Sequence, residues 1–237
     1  VSIMDDGNGM TEEELVNRAM PWGTEIKRIR DKEDLGKFGF GLKAASLAHC
    51  DLLTVISKKN DKVSFRKWDV DHINKSNSFQ VIKDYTDDMK EHIERLNELK
   101  SGTIVVWQKL EKLLDAETIS KRYFHRPILA IREKTRKHLA MTFSEMMDKF
   151  KIYVNSVTGL NNVIEPWDPF LKDHDDTIKP FPTTKIEYNG SLVQVTPYIL
   201  PARNDFNNAE YEAAAGTTGN WFDRQGFYIY RKNRLIV

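Results

Sequence analysis

The sequence predicts an α+β protein, with a larger mixed region over residues 1–150 and a smaller β-rich region over residues 151–237. Two observations lead to this division. Strand-like and helix-like patterns alternate in the first region, whereas prolines separate short strand-like runs in the second. Hydrophobic residues make up 40% of the 237 positions, which is enough to build a core in one or two domains.

Apolar runs bounded by turn residues predict a set of strands in the first region, and Lys59-Asn60-Asp61 predicts a hairpin turn between two of them. The predicted strands cover residues 1–5, 52–56, 63–68, 79–82 and 101–107. Helix-type patterns follow two glycine-rich stretches and recur later in the region. The predicted helices cover residues 11–19, 41–49, 87–99 and 117–151, the last of them interrupted near Pro127.

The second region has prolines at short intervals and few helical patterns. We expect short strands, such as one over residues 191–199, a small alanine-rich helix within residues 204–219 and a hairpin over residues 226–236. Because the sequence begins and ends inside strand-like runs, we also expect it to be part of a longer protein.

The charge and cysteine content exclude several classes of protein. A formal net charge of +1 provides neither a general nucleic-acid-binding surface nor an acidic tail. Basic residues are in excess over residues 117–151, where we favour a solvated or inter-domain face and keep nucleic-acid contact as the alternative. The only cysteine, Cys50, excludes an internal disulfide, and neither a long apolar run nor a leader sequence is present. We therefore expect a cytoplasmic protein with no membrane partner.

Two glycine-rich stretches are the strongest candidates for a functional site. The first follows a strand-like run and contains a carboxylate, and the second leads directly into a helix-forming sequence. They read Asp5-Asp6-Gly7-Asn8-Gly9-Met10 and Gly36-Lys37-Phe38-Gly39-Phe40-Gly41-Leu42-Lys43. Glycine lets the backbone approach a ligand closely, and the start of a helix favours an anion. Together these features predict a nucleotide-binding site.

Spacing excludes three other motifs that such stretches resemble in composition. Leu42 stands where a P-loop requires lysine after its second glycine. A Rossmann fingerprint needs G-x-G-x-x-G after a strand, whereas this sequence has G-x-x-G-x-G after a charged segment. An EF-hand loop beginning at Asp6 would place Met10 and Thr11 where an oxygen ligand and a glycine are needed. The histidines lack partners at ligand spacing, so we predict no metal site formed by protein side chains.

The order of the motifs resembles the GHKL ATPase superfamily. A D-x-G-x-G turn, a variable segment, a G-x-x-G-x-G stretch and a Gly102-Thr103 pair at a strand start follow one another along the chain. The same order is found in Hsp90 chaperones, type II topoisomerase ATPase domains, MutL and MORC proteins, and histidine-kinase ATP-binding domains. Residues 35–46 are most similar to the MORC-like, MutL-like and Hsp90-like branch, and residues 225–236 are similar to a strand pair in its second domain.

The resemblance implies a Bergerat-type α/β sandwich, in which helices cover a mixed sheet, followed by an incomplete transducer-like (S5-like) domain. It also implies ATP and Mg²⁺ as cofactors. Asp5 would accept a hydrogen bond from the adenine amino group, Thr103 would add a hydroxyl near the base, and Met10 would line the adenine pocket. Gly7 and Gly9 would let the backbone pass close to the base and the sugar.

On the phosphate side, the resemblance implies that Gly36, Gly39 and Gly41 present N–H groups to the phosphates. Lys37 or Lys43 would add positive charge. The other members of this binding stretch are Phe38, Phe40 and Leu42. For the aromatic members, packing in the core or against the lid is favoured over contact with the ligand.

The hydrolytic residues of the superfamily match no residue of this sequence. They are a water-activating Glu and a Mg²⁺-binding Asn on a helix that precedes the first glycine turn. Residues 24–35 would form a lid that orders over bound ATP. The resemblance therefore implies the core of an ATP-driven clamp that forms a homodimer and acts on DNA or a protein client, with hydrolysis expected of the complete protein. The alternatives are a nucleotide-sensing module without turnover and, against the β-rich second region, a sensor histidine kinase.

Overall fold

The computed structural model describes most of the chain in two compact units. The described residues are 1–23, 36, 39–113, 125–154, 163–216 and 224–236. The first unit comprises residues 1–124 and the second residues 125–237. The predicted lid at residues 24–35 lies outside the described residues, as do Lys37 and Phe38.

An antiparallel sheet of four strands forms the centre of the first unit and confirms the α+β class. Its strands are β1 (Ser2–Asp5), β2 (Leu52–Lys59), β3 (Lys62–Asp69) and β4 (Gly102–Gln108). Their order in the sheet is β1-β4-β2-β3, and every described pair is antiparallel, where the resemblance implied a mixed sheet. The helices are α1 (Glu12–Glu14), continued by a π-helical turn (Leu15–Ala19), α2 (Gly41–Leu47), α3 (Val70–Ser76) and α4 (Lys90–Asn97), which follows a 3-10 turn (Asp87–Met89).

The central strand β2 contributes to a core on each face of the sheet, because successive side chains of a strand point to opposite faces. Leu53 and Val55 pack in one cluster with Leu15 of the π-helical turn and with residues of α2. Ile56 packs in the other cluster with Leu96 of α4. Burial on both faces explains why apolar residues occupy adjacent positions in β2, at Leu52-Leu53 and Val55-Ile56.

Local signals account for most of the turns and helix ends in the first unit. Thr11 and Glu14 form a capping box at the start of α1. Asn60 and Asp61 both have positive φ, as a tight two-residue hairpin requires, so the predicted turn is confirmed. The predicted strand at residues 79–82 is wrong, because this segment forms only an isolated bridge to β3.

The described residues of the second unit form a long helix, a short helix and short hairpins. Its helices are α5 (His125–Thr142) and α6 (Asn208–Ala215), and its strands are β5 (Thr184–Tyr188), β6 (Ser191–Val195), β7 (Tyr230–Arg231) and β8 (Arg234–Leu235). Pro127 lies in the first turn of α5, where a missing N–H is tolerated. The residues before α5 that were predicted to be helical, 117–124, lie outside the described residues. Phe170 stacks on Tyr198 and meets Tyr228 edge-on, which forms an aromatic cluster in this unit. None of the described helices has both the length and the apolar character needed to cross a membrane.

Candidate nucleotide-binding site

Three polar side chains form a row across one face of the sheet in the first unit. Asp5 on β1 lies opposite Thr103 on β4, and Thr103 lies opposite Ser57 on β2. Directly paired residues of antiparallel strands point to the same face, with their Cβ atoms about 5 Å apart. Asp5 is exposed, Thr103 is 9% exposed and Ser57 is completely buried, so the row leads from the surface into the sheet.

The Asp5 carboxylate is held in place by the turn that follows it. The Gly7 N–H donates a hydrogen bond to Asp5 Oδ1 at 2.9 Å, and the Ser101 hydroxyl donates to the Gly7 carbonyl at 2.8 Å. A Cβ on Gly7 would lie 2.9 Å from Asp5 Oδ1, closer than ordinary contact allows. Glycine at this position therefore keeps the carboxylate uncrowded, and the end of β1 carries an acceptor in a fixed orientation.

Ser57 joins the first glycine-rich stretch to the Gly102-Thr103 pair. Its Oγ accepts a hydrogen bond from the Met10 N–H at 2.8 Å and lies 3.0 Å from the Gly102 carbonyl oxygen. It also lies 2.9 Å from Thr103 Oγ1. Sequence patterns did not identify Ser57, for which the only signal is a serine within the apolar run of β2.

Two glycines allow the backbone segments around this row to approach closely. Gly9 has φ of +61°, and a Cβ on it would lie 1.9 Å from the Lys58 carbonyl oxygen. A Cβ on Gly102 would lie 2.3 Å from the Asp5 carbonyl oxygen. Because both contacts are to backbone atoms that cannot move aside, the fold requires glycine at these positions whether or not a ligand is bound.

Ion pairs fasten α1, which follows the first stretch, to the sheet. Lys59 Nζ lies 2.8 Å from Glu14 Oε2, and Arg66 Nη2 lies 2.6 Å from Glu12 Oε1. Lys83 also contacts Glu12 at 2.7 Å. Hydrogen bonds from Lys83 and Arg66 lower the pKa of Glu12 to about 2, and the hydrogen bond from Lys59 is the main cause that lowers the pKa of Glu14 to about 2. Both carboxylates thus remain charged at neutral pH and keep α1 against β2 and β3.

The C-terminal part of the second glycine-rich stretch, residues 39–43, lies on the same face of the sheet as the polar row. Leu42 and Met10 both pack against the core cluster that also receives Val105 of β4. Phe40 is half exposed, and its ring centroid lies 6.4 Å from that of Trp22. This contact agrees with the expectation that Phe40 takes part in aromatic packing.

Lys43 links the second stretch to the end of the π-helical turn. Its side chain is 2% exposed, and its ammonium donates hydrogen bonds to the carbonyls of Ala19 at 2.8 Å and Gly39 at 2.5 Å. Burial lowers the pKa of this ammonium group. The resemblance implied that Lys43 adds charge near the phosphates, whereas the structure directs its ammonium to backbone carbonyls.

Among the described residues, nothing requires a glycine at Gly41, the first residue of α2. Its φ is not positive, and a Cβ on it would meet no described atom within 4 Å. Gly39, by contrast, has φ of +69°. Residues 35, 37 and 38, which flank Gly36, lie outside the described residues. The role of Gly36 in phosphate binding therefore stays a prediction.

The first 103 residues match the family model for histidine kinase-, DNA gyrase B- and HSP90-like ATPases. The matched region contains both glycine-rich stretches and ends at Thr103, so it includes all three residues of the polar row. No curated protein matches the chain. The match supports ATP binding and does not distinguish among the branches of the superfamily. Residues 1–103 are therefore assigned to the GHKL superfamily of ATPases.

Proposed function

We propose that the chain is the ATP-binding core of a nucleotide-gated molecular clamp. The observation that supports this best is the row of Asp5, Thr103 and Ser57, which lies beside the glycine-rich turn within the region matched by the family model. A carboxylate of fixed orientation beside a hydroxyl suits the exocyclic amino group of adenine, which is a hydrogen-bond donor.

In this proposal the phosphates lie over the second glycine-rich stretch. The open space at Gly41 supports this placement, because nothing within the described part of the chain accounts for glycine there. Gly36, Gly39 and Gly41 would offer backbone N–H groups, and residues 24–35 would close over the nucleotide. Met10 would contribute an apolar surface for the base.

We propose that ATP brings Mg²⁺ on its phosphate oxygens. The family's Mg²⁺-binding Asn matches no residue of this sequence, and among the described residues no group of three or more His, Cys, Asp or Glu side chains could hold a metal ion. Magnesium neutralises charge on the phosphates and so assists both binding and phosphoryl transfer.

ATP binding would order the lid and favour a homodimer, which in turn would act on DNA or on a protein client. The basic helix α5 supports an anionic client, since Lys134 and Lys137 are exposed on it. A protein client is the alternative within this proposal. Sedimentation of the full-length protein with and without a non-hydrolysable ATP analogue, Mg²⁺ and duplex DNA would test the dimer and the client separately.

Replacement of the carboxylate at the end of β1 provides the direct test of the adenine site. Asp5→Asn keeps the shape of the side chain but removes its charge and places a donor where the amino group of adenine would donate. We expect the affinity for a non-hydrolysable ATP analogue with Mg²⁺, measured by calorimetry, to fall about tenfold to a hundredfold. The matched control is Asp6→Asn, which changes the neighbouring exposed carboxylate and should leave the affinity unchanged.

Equal affinities of the wild-type and Asp5→Asn proteins would contradict the proposed adenine site, and no binding to the wild-type protein would contradict ATP binding altogether. A second candidate function is a nucleotide sensor without turnover. Single-turnover hydrolysis by the full-length protein separates the two, because a sensor would bind ATP and release it unchanged.

A further inference from the structure

The hydrogen bonds around Ser57 determine which way its hydroxyl and that of Thr103 point. A serine hydroxyl has one proton to donate and two lone pairs to accept hydrogen bonds. The Met10 N–H can only donate, so it uses one lone pair of Ser57 Oγ, at 2.8 Å. The Gly102 carbonyl oxygen can only accept, so the 3.0 Å contact to it uses the single proton of Ser57.

The third contact, between Ser57 and Thr103, then has only one possible direction. Since the Ser57 proton is directed to Gly102, the 2.9 Å contact is a hydrogen bond only if the Thr103 hydroxyl donates to Ser57 Oγ. With this assignment Ser57 makes one donated and two accepted hydrogen bonds, which is its full capacity. Ser57 is completely buried, so water does not compete for these bonds.

Because Thr103 donates its proton to Ser57, its hydroxyl can no longer donate a hydrogen bond to a ligand. Thr103 Oγ1 keeps only lone pairs for further partners, and the Asp5 carboxylate beside it on the same face is also an acceptor. We propose that Ser57 is a specificity-determining residue that makes the base-facing row accept hydrogen bonds only, so that the site selects a purine with an amino group at position 6. This inference rests on the proposed function, because it assumes that the base lies over Asp5 and Thr103.

The test compares ATP with inosine triphosphate, which has the same sugar and phosphates but a carbonyl oxygen in place of the amino group at position 6. For the wild-type protein we expect ATP to bind roughly tenfold more tightly or better, because the acceptors of the row receive a donor from ATP but face another acceptor in inosine triphosphate. In Ser57→Ala the Thr103 hydroxyl is free to rotate and donate to that carbonyl oxygen. The ratio of the two affinities should then fall by about threefold or more.

The affinity ratio separates this role from a structural one. If Ser57 only supported the fold, Ser57→Ala would weaken both nucleotides by the same factor and leave the ratio unchanged, which would overturn the inference. The matched control is Ser64→Ala on β3, directly opposite Ser57, which should leave the ratio at the wild-type value. If the wild-type protein bound neither nucleotide, the proposed function itself would fail.

A second pair of variants keeps the inference testable if Ser57→Ala does not fold. Thr103→Ser retains a hydroxyl that can donate to Ser57, whereas Thr103→Val has a similar shape and no oxygen. We expect Thr103→Ser to keep the wild-type ratio and Thr103→Val to lower it by about threefold or more. Equal ratios for the two variants would overturn the inference.

Discussion

The two glycine-rich stretches of the first unit need glycine for different reasons. In the first stretch, Gly9 has a positive φ and lies so close to the Lys58 carbonyl that no side chain fits. In the second stretch, Gly41 has no positive φ, and a Cβ on it would meet no described atom within 4 Å. The fold explains the first glycine, whereas no described residue explains the second.

The two stretches also differ in how they are held. The first is tied to β2 and β4 by hydrogen bonds through Ser57 and to the sheet by the ion pairs of α1. The second depends on the ammonium of Lys43, which donates to Gly39 and to Ala19. We therefore expect glycine substitutions in the first stretch to affect mainly stability and glycine substitutions in the second to affect mainly nucleotide binding.

Gly9→Ala should have the largest effect on stability. An L-residue at this φ costs about 1 to 2 kcal/mol, and the methyl group would clash with the Lys58 carbonyl, a type of overpacking that costs roughly 1 to 3 kcal/mol. We expect the free energy of unfolding, measured with urea, to fall by about 3 kcal/mol.

The β5–β6 turn of the second unit offers a control for the backbone part of this effect. Gly190 also has a positive φ, +72°, but a Cβ on it would meet no described atom within 4 Å. Gly190→Ala should therefore cost only the backbone strain, about 1 to 2 kcal/mol. If the two substitutions cost the same, close packing of Gly9 against β2 would not be the reason for glycine there.

Lys43→Met should have a smaller effect on the stability of the nucleotide-free protein. The sign of this effect distinguishes two roles for the lysine. If the ammonium positions the second stretch, its loss leaves two carbonyls without this donor, and stability without nucleotide should fall by about 1 kcal/mol. If Lys43 instead served only to contact phosphate, removal of a buried charge would leave that stability unchanged or raise it. Thermal unfolding of the nucleotide-free protein decides between them, with Lys62→Met at an exposed position as the control.

The sequence predicted the parts of the site that depend on residues close together in the chain. The D-x-G-x-G turn places Asp5 and Gly7 within hydrogen-bonding distance, and the Gly102-Thr103 pair opens a strand as expected. The helix α3 was missed although Asp69 caps its start and Asn77 ends it with a left-handed conformation. Such caps are common in turns as well, so they do not identify a helix of seven residues by themselves.

Contacts between residues far apart in the chain could not be predicted from sequence patterns. Ser57 lies 47 residues from Met10 and 46 from Thr103, and only the pairing of β2 with β4 brings these residues together. The partners of Lys43 were hidden for the same reason, since Ala19 lies 24 residues away. A lysine beside glycines is typical of phosphate binding, but its burial and its carbonyl partners depend on tertiary packing.

Gly41→Ala should have the smallest effect on stability and still weaken nucleotide binding. Alanine favours a helix over glycine by up to about 1 kcal/mol, so the free energy of unfolding should stay the same or rise slightly. The added methyl group would occupy the open space where we place the phosphates, and the affinity for an ATP analogue should fall several-fold. Adenosine has no phosphates and serves as the matched ligand, so its affinity should not change. An equal loss for both ligands would mean that the substitution acts through the fold, and the contrast between the two stretches would then be wrong.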